Sequence, residues 1–337
     1  MQNLYNINTL GLNSLPKKKY SINYLYKLKE FQIIISNYEK WFLLGKGSNI
    51  ILGKKIEFIT SHILIKDKTW LGKTLYYDPS GISNIIEVSS GETWNNFVNY
   101  SLKNKFNGLE NLSNIPGLVG SSPIQNIGSY GMDVSERLYS VISWDTYFHE
   151  LVSYFPYECD FDYRNSCFKK QDNRWMITSI QIRLPVNWNF NISYFEIKKK
   201  LFFKNKIITA RLIAKIIVEI REKKLPNTNY ISHIGSFFKN PDINFKIKEK
   251  IIKNFPEIKF KIIKNNFFRL SSGFLIESCG WKGKNFDEIS VYKNQALILI
   301  NNGFANSMNL INIAQNICNS IQKRFGILIY IEPNVKV

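Results

Sequence analysis

The chain has 337 residues, of which 45% are hydrophobic, 15% aromatic and 21% charged, enough for roughly two or three domains with a sizeable core, and this excludes intrinsic disorder. Lys and Arg number 45 against 26 Asp and Glu, a net charge of +19; taken alone, that is the footprint of a nucleic-acid binder. The lysines are spread along the whole chain, however, with no helix-turn-helix, zinc-finger or ribonucleoprotein motif, so nucleic acid is not the expected partner.

Taken in order, apolar residues 41–44 form a short run that stops at Gly45-Lys46-Gly47-Ser48-Asn49 and resumes at 50–52. Stretches 56–65 and 82–88 are rich in β-branched residues, and the first part reads as short strands separated by turns. Trp94, Phe97, Val98 and Leu102 share one helical face, with Asn107-Gly108 as a stop signal. From 115 to 131 the periodicity gives way to a Gly/Ser/Asn/Gln loop. Strands return at 141–144 and 176–184, and a basic amphipathic helix over 210–224 ends before Pro226. Leu310, Ile313, Ile317 and Ile321 mark a helix that stops at Gly326, with an apolar strand expected over 327–331. The pattern is mixed α+β with more than one compact unit.

Every apolar stretch is broken short of the roughly 18 residues that cross a bilayer, and MQNLYNINTL has none of the order of a signal peptide. Cys159, Cys167, Cys279 and Cys318 form no C-x-x-C pair, and with His62, His149 and His233 they give no zinc-ligand spacing. A cytoplasmic protein with reduced, structural thiols and no metal is expected. Lys is accompanied by an excess of Asn, Ile, Phe and Tyr, residues with A/T-rich codons, so an A/T-biased genome is the simpler source of the charge. Anionic small ligands would benefit from the same charge.

The long loop carries Gly117, Gly120, Gly128 and Gly131 with Ser121, Ser122, Gln125 and Asn126. Such a surface can line a pyrophosphate with N–H and O–H groups, or it can be a solvated series of turns. Gly45 to Asn49 offers a second turn of this kind, although a plain hairpin turn has the same composition. It is not G-x-G-x-x-G, because Ile50 takes the last position. Two such loops together suit a large phosphate-bearing ligand, and FAD fits better than a mononucleotide. Ser236, in Gly235-Ser-Phe-Phe-Lys-Asn-Pro241, lacks a nucleophile elbow and reads as a structural serine in a turn or as a hydroxyl projecting into a dry pocket. Nothing in the local composition promotes Arg164 or Glu332.

Several motifs together resemble the UDP-N-acetylenolpyruvoylglucosamine reductase family. They are Leu44-Gly-Lys-Gly-Ser-Asn49, Gly108-Leu-Glu-Asn-Leu112, the 115–131 loop, Tyr163-Arg-Asn-Ser166, Lys224-Leu-Pro226, Gly235 to Pro241, Gln295 to Asn301 and Ile331-Glu-Pro333. They stand in the family's order from about Asn8 to the C-terminus. The resemblance implies an α+β fold: an FAD-binding region of the vanillyl-alcohol-oxidase (PCMH) type plus a C-terminal α+β substrate-binding domain. By analogy residues 1–65, completed by strand 327–337, form the N-terminal FAD-binding subdomain. Residues 66–215 form the second, and 216–326 the substrate-binding domain.

The implied reaction is reduction of an enolpyruvyl ether of UDP-N-acetylglucosamine to UDP-N-acetylmuramate, with FAD bound and NADPH as co-substrate, in bacterial peptidoglycan precursor synthesis. Charge then develops at the substrate α-carbon and its carboxylate. Carried over position by position, Arg164 and a protonated Glu332 oppose that charge, and Ser236 supplies a proton to the α-carbon. Gly45, Lys46, Gly47, Ser48, Asn49, Gly117, Gly120, Ser121, Ser122, Gln125, Asn126, Gly128 and Arg221 correspond to flavin contacts. Tyr194, Lys224, Asn240 and Gln295 correspond to substrate contacts, with Tyr194 in the 186–201 loop of one family subtype. A monomer without membrane attachment is expected. The sequence departs from the family at 285–291, where Asn-Phe-Asp-Glu-Ile-Ser-Val replaces a Gly-Gly-Ala-type turn and removes glycine where a positive φ is required. The alternatives are an oxidase or dehydrogenase on the same flavin-binding fold and a basic nucleic-acid binder.

Overall fold

The computed structural model describes residues 3–37, 40–75, 81–171, 173–202, 207–228, 230–256, 258–263 and 266–337, with backbone alone at 58, 59 and 75. Two compact units emerge. One comprises Pro16–Lys46 and Glu57–Glu222; the other comprises Asn3–Leu15, Gly47–Ile56 and Lys223–Val337.

The first unit is built on a five-stranded antiparallel sheet in the order Glu150–Tyr154, Leu138–Asp145, Trp175–Pro185, Ile82–Ser89, Lys68–Leu75. Val88, Ile180 and Ile182 alternate with polar residues on their strands and, with Val141, bury one face against helix Trp94–Lys103 through Trp94, Phe97 and Val98. Helix Ala210–Lys224 turns Ile213, Ile216, Ile217 and Ile220 onto a smaller cluster with Ile197, Trp188 and Tyr130. Both helices match the periodicity of their residues.

The reading of the N-terminal part as strands and turns is corrected by a helix at Lys27–Ser36. Its run Ile33-Ile34-Ile35 has strand-like composition, but Leu28, Phe31, Gln32 and Ile35 form a buried helical stripe. Tertiary packing decides the matter: Phe31 and Ile35 share a cluster with Trp41, Trp144 and Met176, and Trp144 Nε1 donates to Gln32 Oε1 at 3.1 Å.

The second unit wraps three small antiparallel and parallel ladders around helix Ser307–Phe325, whose Leu310, Ala314, Ile317 and Ile321 are buried. Asn306 caps its start, and Gly326 ends it at φ 68. Beyond it the expected strand over 327–331 does not form. Ile327 and Ile329 are buried and Leu328 and Tyr330 exposed, so the alternation is real, but the only pairing is an isolated bridge from Ile331 to Phe238. The terminal strand is Asn334–Lys336, parallel to Ile50–Leu52. Pro333 has no N–H for a ladder and separates the two stretches. The substituted 285–291 segment folds as a hairpin with Asp287 at φ 55, the left-handed conformation that glycine would have taken without strain.

Candidate functional site

The 115–131 loop lies in the first unit and contains a single 3-10 turn, Val119–Ser121, an isolated bridge from Leu118 to Thr93, and the two-residue ladder of Gly128–Ser129 with Met132–Asp133. Its backbone is pinned to the turn preceding helix Trp94–Lys103. Val119 N donates to Glu92 O at 2.8 Å, Gly120 N to Ser90 O at 3.1 Å, and Trp94 N to Gly117 O at 3.1 Å. Gly120 is needed by packing: a Cβ there would lie 2.4 Å from Ser90 Cβ. A Cβ on Gly45 would sit 3.9 Å from both Leu118 and Ser121, so the glycine-rich turn at 45 and the long loop meet, as one ligand contacting both would require.

Ser121 and Ser122 donate their hydroxyl protons to Leu118 O and Val119 O, each at 2.7 Å. They can therefore present lone pairs, while the amides of Val119, Gly120, Ser121, Ser122, Asn126 and Ile127 are all engaged within the protein and hold the loop in shape. Asn126, buried at φ 45, donates to Asp162 O and accepts from Ser135 N. It is a brace of the loop rather than a free amide.

Arg164 stands at φ 54 and sends its guanidinium back to the same loop, Nη1 to Asn126 O at 3.4 Å and Nη2 to Gly128 O at 3.1 Å. Arg221 reaches it from helix Ala210–Lys224, Nη1 donating to Ser129 Oγ at 3.4 Å. Burial lowers the pKa of the Arg221 guanidinium, and Tyr130 opposes that shift. Burial also pushes the Tyr130 phenol up to about 12, so Tyr130 is a neutral hydroxyl at physiological pH. The Tyr194 ring packs edge-on to Tyr130 at 5.0 Å. Asn111 holds this corner together by donating to Tyr130 O at 2.9 Å and Asn191 O at 3.0 Å, while Trp188 Nε1 donates to Glu110 at 2.7 Å. Tyr130 and Asn111 stand within sequence motifs that by themselves give neither residue a part. Their left-handed backbone and bridging amide are tertiary features.

Among the described residues, the buried polar atoms Ser90 Oγ and Arg221 Nε have no hydrogen-bond partner. Unmatched buried donors are costly. Together with a glycine surface closed to side chains, they fit a polar, phosphate-bearing group such as FAD.

The second unit carries Ser236 and Glu332. Gly235, at φ 74, turns the chain so that Ser236 is exposed while Phe237 and Phe238 enter the core. His233 secures the turn: its Nδ1 accepts from Gly235 N at 3.0 Å and its Nε2 faces Pro226 O at 2.9 Å, so the proton sits on Nε2. Burial lowers its pKa, against the hydrogen bond to Pro226. Glu332 is buried and lies opposite this segment, its N–H donating to Phe237 O at 2.9 Å. Asn240 Oδ1 accepts from Ser272 N at 2.9 Å, and Gln295 Oε1 lies 3.2 Å from where a Cβ on Gly273 would stand. Asn240 and Gln295 thus share the Ser271–Gly273 corner. Lys46 is exposed, Ser48, Asn49, Gln125 and Lys224 are half-buried, Gly47 is buried, and a Cβ on Gly47 would strike Ile7 O at 2.3 Å. Among the described residues no group of three or more His, Cys, Asp or Glu could hold a metal ion, and no helix is long and apolar enough to cross a membrane.

The family model for the C-terminal domain of UDP-N-acetylenolpyruvoylglucosamine reductase matches residues 226–336, and one described as an FAD binding domain matches 32–144. A UDP-N-acetylenolpyruvoylglucosamine reductase of Flavobacterium johnsoniae is 36% identical over 336 residues, covering 98% of this chain and 97% of that protein. One of Buchnera aphidicola is 35% identical, covering 98% and 97%, and one of Bordetella pertussis 31%, covering 99% and 94%. The solved UDP-N-acetylenolpyruvylglucosamine reductase of Thermus caldophilus superposes with a TM-score of 0.66 over 100% of this chain and 98% of that one, at 18% identity, a likeness of fold.

Proposed function

Because the chain belongs to the UDP-N-acetylenolpyruvoylglucosamine reductase family, we propose that it is the FAD-dependent enzyme that reduces UDP-N-acetylglucosamine enolpyruvate to UDP-N-acetylmuramate with NADPH, in peptidoglycan precursor synthesis. The observation that carries this reading is the glycine surface at 45 and 117–128 together with the buried Ser90 Oγ and Arg221 Nε. The backbone of 45–49 and 117–128, with Arg221, would hold the polar groups of FAD, which when bound would supply hydride transfer between NADPH and the enolpyruvyl β-carbon.

The remaining chemistry belongs to side chains. The Ser236 hydroxyl donates a proton to the substrate α-carbon. The Arg164 guanidinium is a fixed cation for charge on the substrate carboxylate, held ready by its bonds to Asn126 O and Gly128 O. Glu332, protonated, donates a hydrogen bond to the same carboxylate. Lys224, Asn240, Gln295 and Tyr194 bind the UDP-sugar, Lys224 as a point charge on the diphosphate. The protein acts as a cytoplasmic monomer without nucleic acid, and its positive charge favours capture of two anionic reactants. The test is NADPH oxidation by the yellow protein on addition of UDP-N-acetylglucosamine enolpyruvate. Oxidation at the same rate without that substrate overturns the reading.

A further inference from the structure

Outside this machinery, two cysteines close the base of the loop that carries Arg164. Cys159 is buried, Cys167 is half-buried, and both are free thiols. The Cys167 amide donates to Cys159 O at 2.8 Å. Adding about 2.4 Å from Cα to its own carbonyl oxygen and about 1.5 Å from N to Cα keeps the two Cα atoms within about 6.7 Å, inside the roughly 4.4–6.8 Å that disulfides span. The Cys159 thiol donates to Phe155 O at 3.2 Å; the neighbouring Cys167 and burial raise its pKa, and Cys159 in turn lowers that of Cys167. The more accessible sulfur is therefore the better nucleophile, and the buried one stays a thiol beside it.

We propose that Cys159 and Cys167 are a reversible redox pair whose disulfide staples the Arg164 loop. The oxidant is a hydroperoxide. The Cys167 thiolate attacks its O–O bond and keeps one oxygen as a sulfenic acid, and the departing alkoxide or hydroxide takes up the proton that Cys167 released. Cys159 sulfur then displaces that oxygen as water, which carries away the Cys159 proton. Two electrons leave the pair of sulfurs, one O–O bond is reduced and one S–S bond forms. A dithiol reductant reverses the reaction by exchange.

The staple acts on a tightly connected corner. Ser166, beside Cys167, donates through Oγ to Ile124 O at 2.6 Å, and Lys169 Nζ donates to Arg164 O at 3.2 Å. Drawing Cys167 onto Cys159 shifts this corner and with it Arg164. The effect on turnover rests on the reading of Arg164 above; formation of the disulfide does not.

The full-length, flavin-loaded enzyme is treated with hydrogen peroxide, its remaining thiols are alkylated, and the digest is mapped by mass spectrometry. The expected result is a Cys159–Cys167 cross-linked peptide that dithiothreitol abolishes, with Cys279 and Cys318 still alkylated. Substrate reduction falls about tenfold or more and returns with dithiothreitol, while Cys167→Ser keeps its rate through the treatment. Oxidation confined to Cys279 or Cys318, or ending as a sulfinic acid on Cys167 with Cys159 still alkylated, overturns the pair. A cross-link that leaves the rate unchanged overturns the effect on Arg164. The mapping reads the same whether or not the protein reduces the enolpyruvyl substrate.

Discussion

The N–H of Glu332 donates to the carbonyl of Phe237 at 2.9 Å, so the acid from the C-terminal segment is registered against the residue that follows Ser236. The pairing continues through Lys239 N to Tyr330 O at 2.9 Å. Two short stretches without a regular ladder are therefore held in register, and the buried Phe237 and Phe238 anchor them.

Ser236→Ala is expected to leave flavin bound and to leave NADPH oxidation in the half-reaction unchanged, while reduction of the enolpyruvyl substrate falls by about 10²–10⁴-fold. Stopped-flow measurement of the two half-reactions separates them. Equal loss in both would remove Ser236 from its role.

Gly120→Ala places a methyl group 2.4 Å from Ser90 Cβ and 3.1 Å from Ser90 Cα. The loop must move off the turn at Ser90, at an expected cost of about 1–3 kcal/mol. The flavin-to-protein absorbance ratio of the purified variant drops accordingly, and urea unfolding reads the destabilisation. An unchanged ratio would show that this contact does not shape the flavin surface.

His62 is buried, and burial pulls its pKa down to about 4, aided by the charge of Lys19. Its unfolded value is about 6.5. Above that pH both states are neutral and the stability is complete. As pH falls from about 6.5 toward 4, the unfolded chain binds a proton that the folded chain does not. Stability is then lost, on the order of 3 kcal/mol at the lower end. Urea unfolding across this interval should show the slope, and His62→Gln should flatten it.

The hairpin at 285–291 places Asp287 at φ 55, and Asn302 braces it by donating to Asp287 O at 2.7 Å and Asn285 Oδ1 at 3.1 Å. Asp tolerates this conformation better than a β-branched residue does. Asp287→Val is expected to cost about 1–2 kcal/mol, whereas Asp287→Gly stays within about 1 kcal/mol of the parent. Denaturant midpoints of the two variants test the difference. If Val and Gly behave alike, the turn is not under conformational constraint.

Asp145 has no exposed side-chain surface and pairs with Arg174 at 2.7 Å. Burial pushes its carboxyl up, but hydrogen bonds from Arg174 and the Tyr147 amide outweigh it and hold the pKa below the ordinary range. Asp145→Asn leaves Arg174 without its counter-charge, and because Arg174 keeps contact with solvent a loss of about 1–2 kcal/mol is expected in urea unfolding.

Local chain chemistry specified the elements with strong period. The apolar spacing in Trp94–Lys103, Ala210–Lys224 and Ser307–Phe325, and the left-handed Gly326 that ends the last of these, follow from residues a few positions apart. The glycine and serine content of 115–131 likewise announced a loop able to approach a ligand. Lys27–Ser36 was hidden because its isoleucines suit a strand until Trp144 and Met176, far along the chain, give them a helical face to pack against. Arg164 and Glu332 were invisible except through family resemblance, for the same reason. Arg164 finds its carbonyl acceptors 36 and 38 residues away, and Glu332 finds its partner in Phe237. Short-range spacing encodes which face of a segment is apolar. Which distant atom lies within hydrogen-bond reach of a guanidinium depends on how whole segments pack, and only the folded chain decides that.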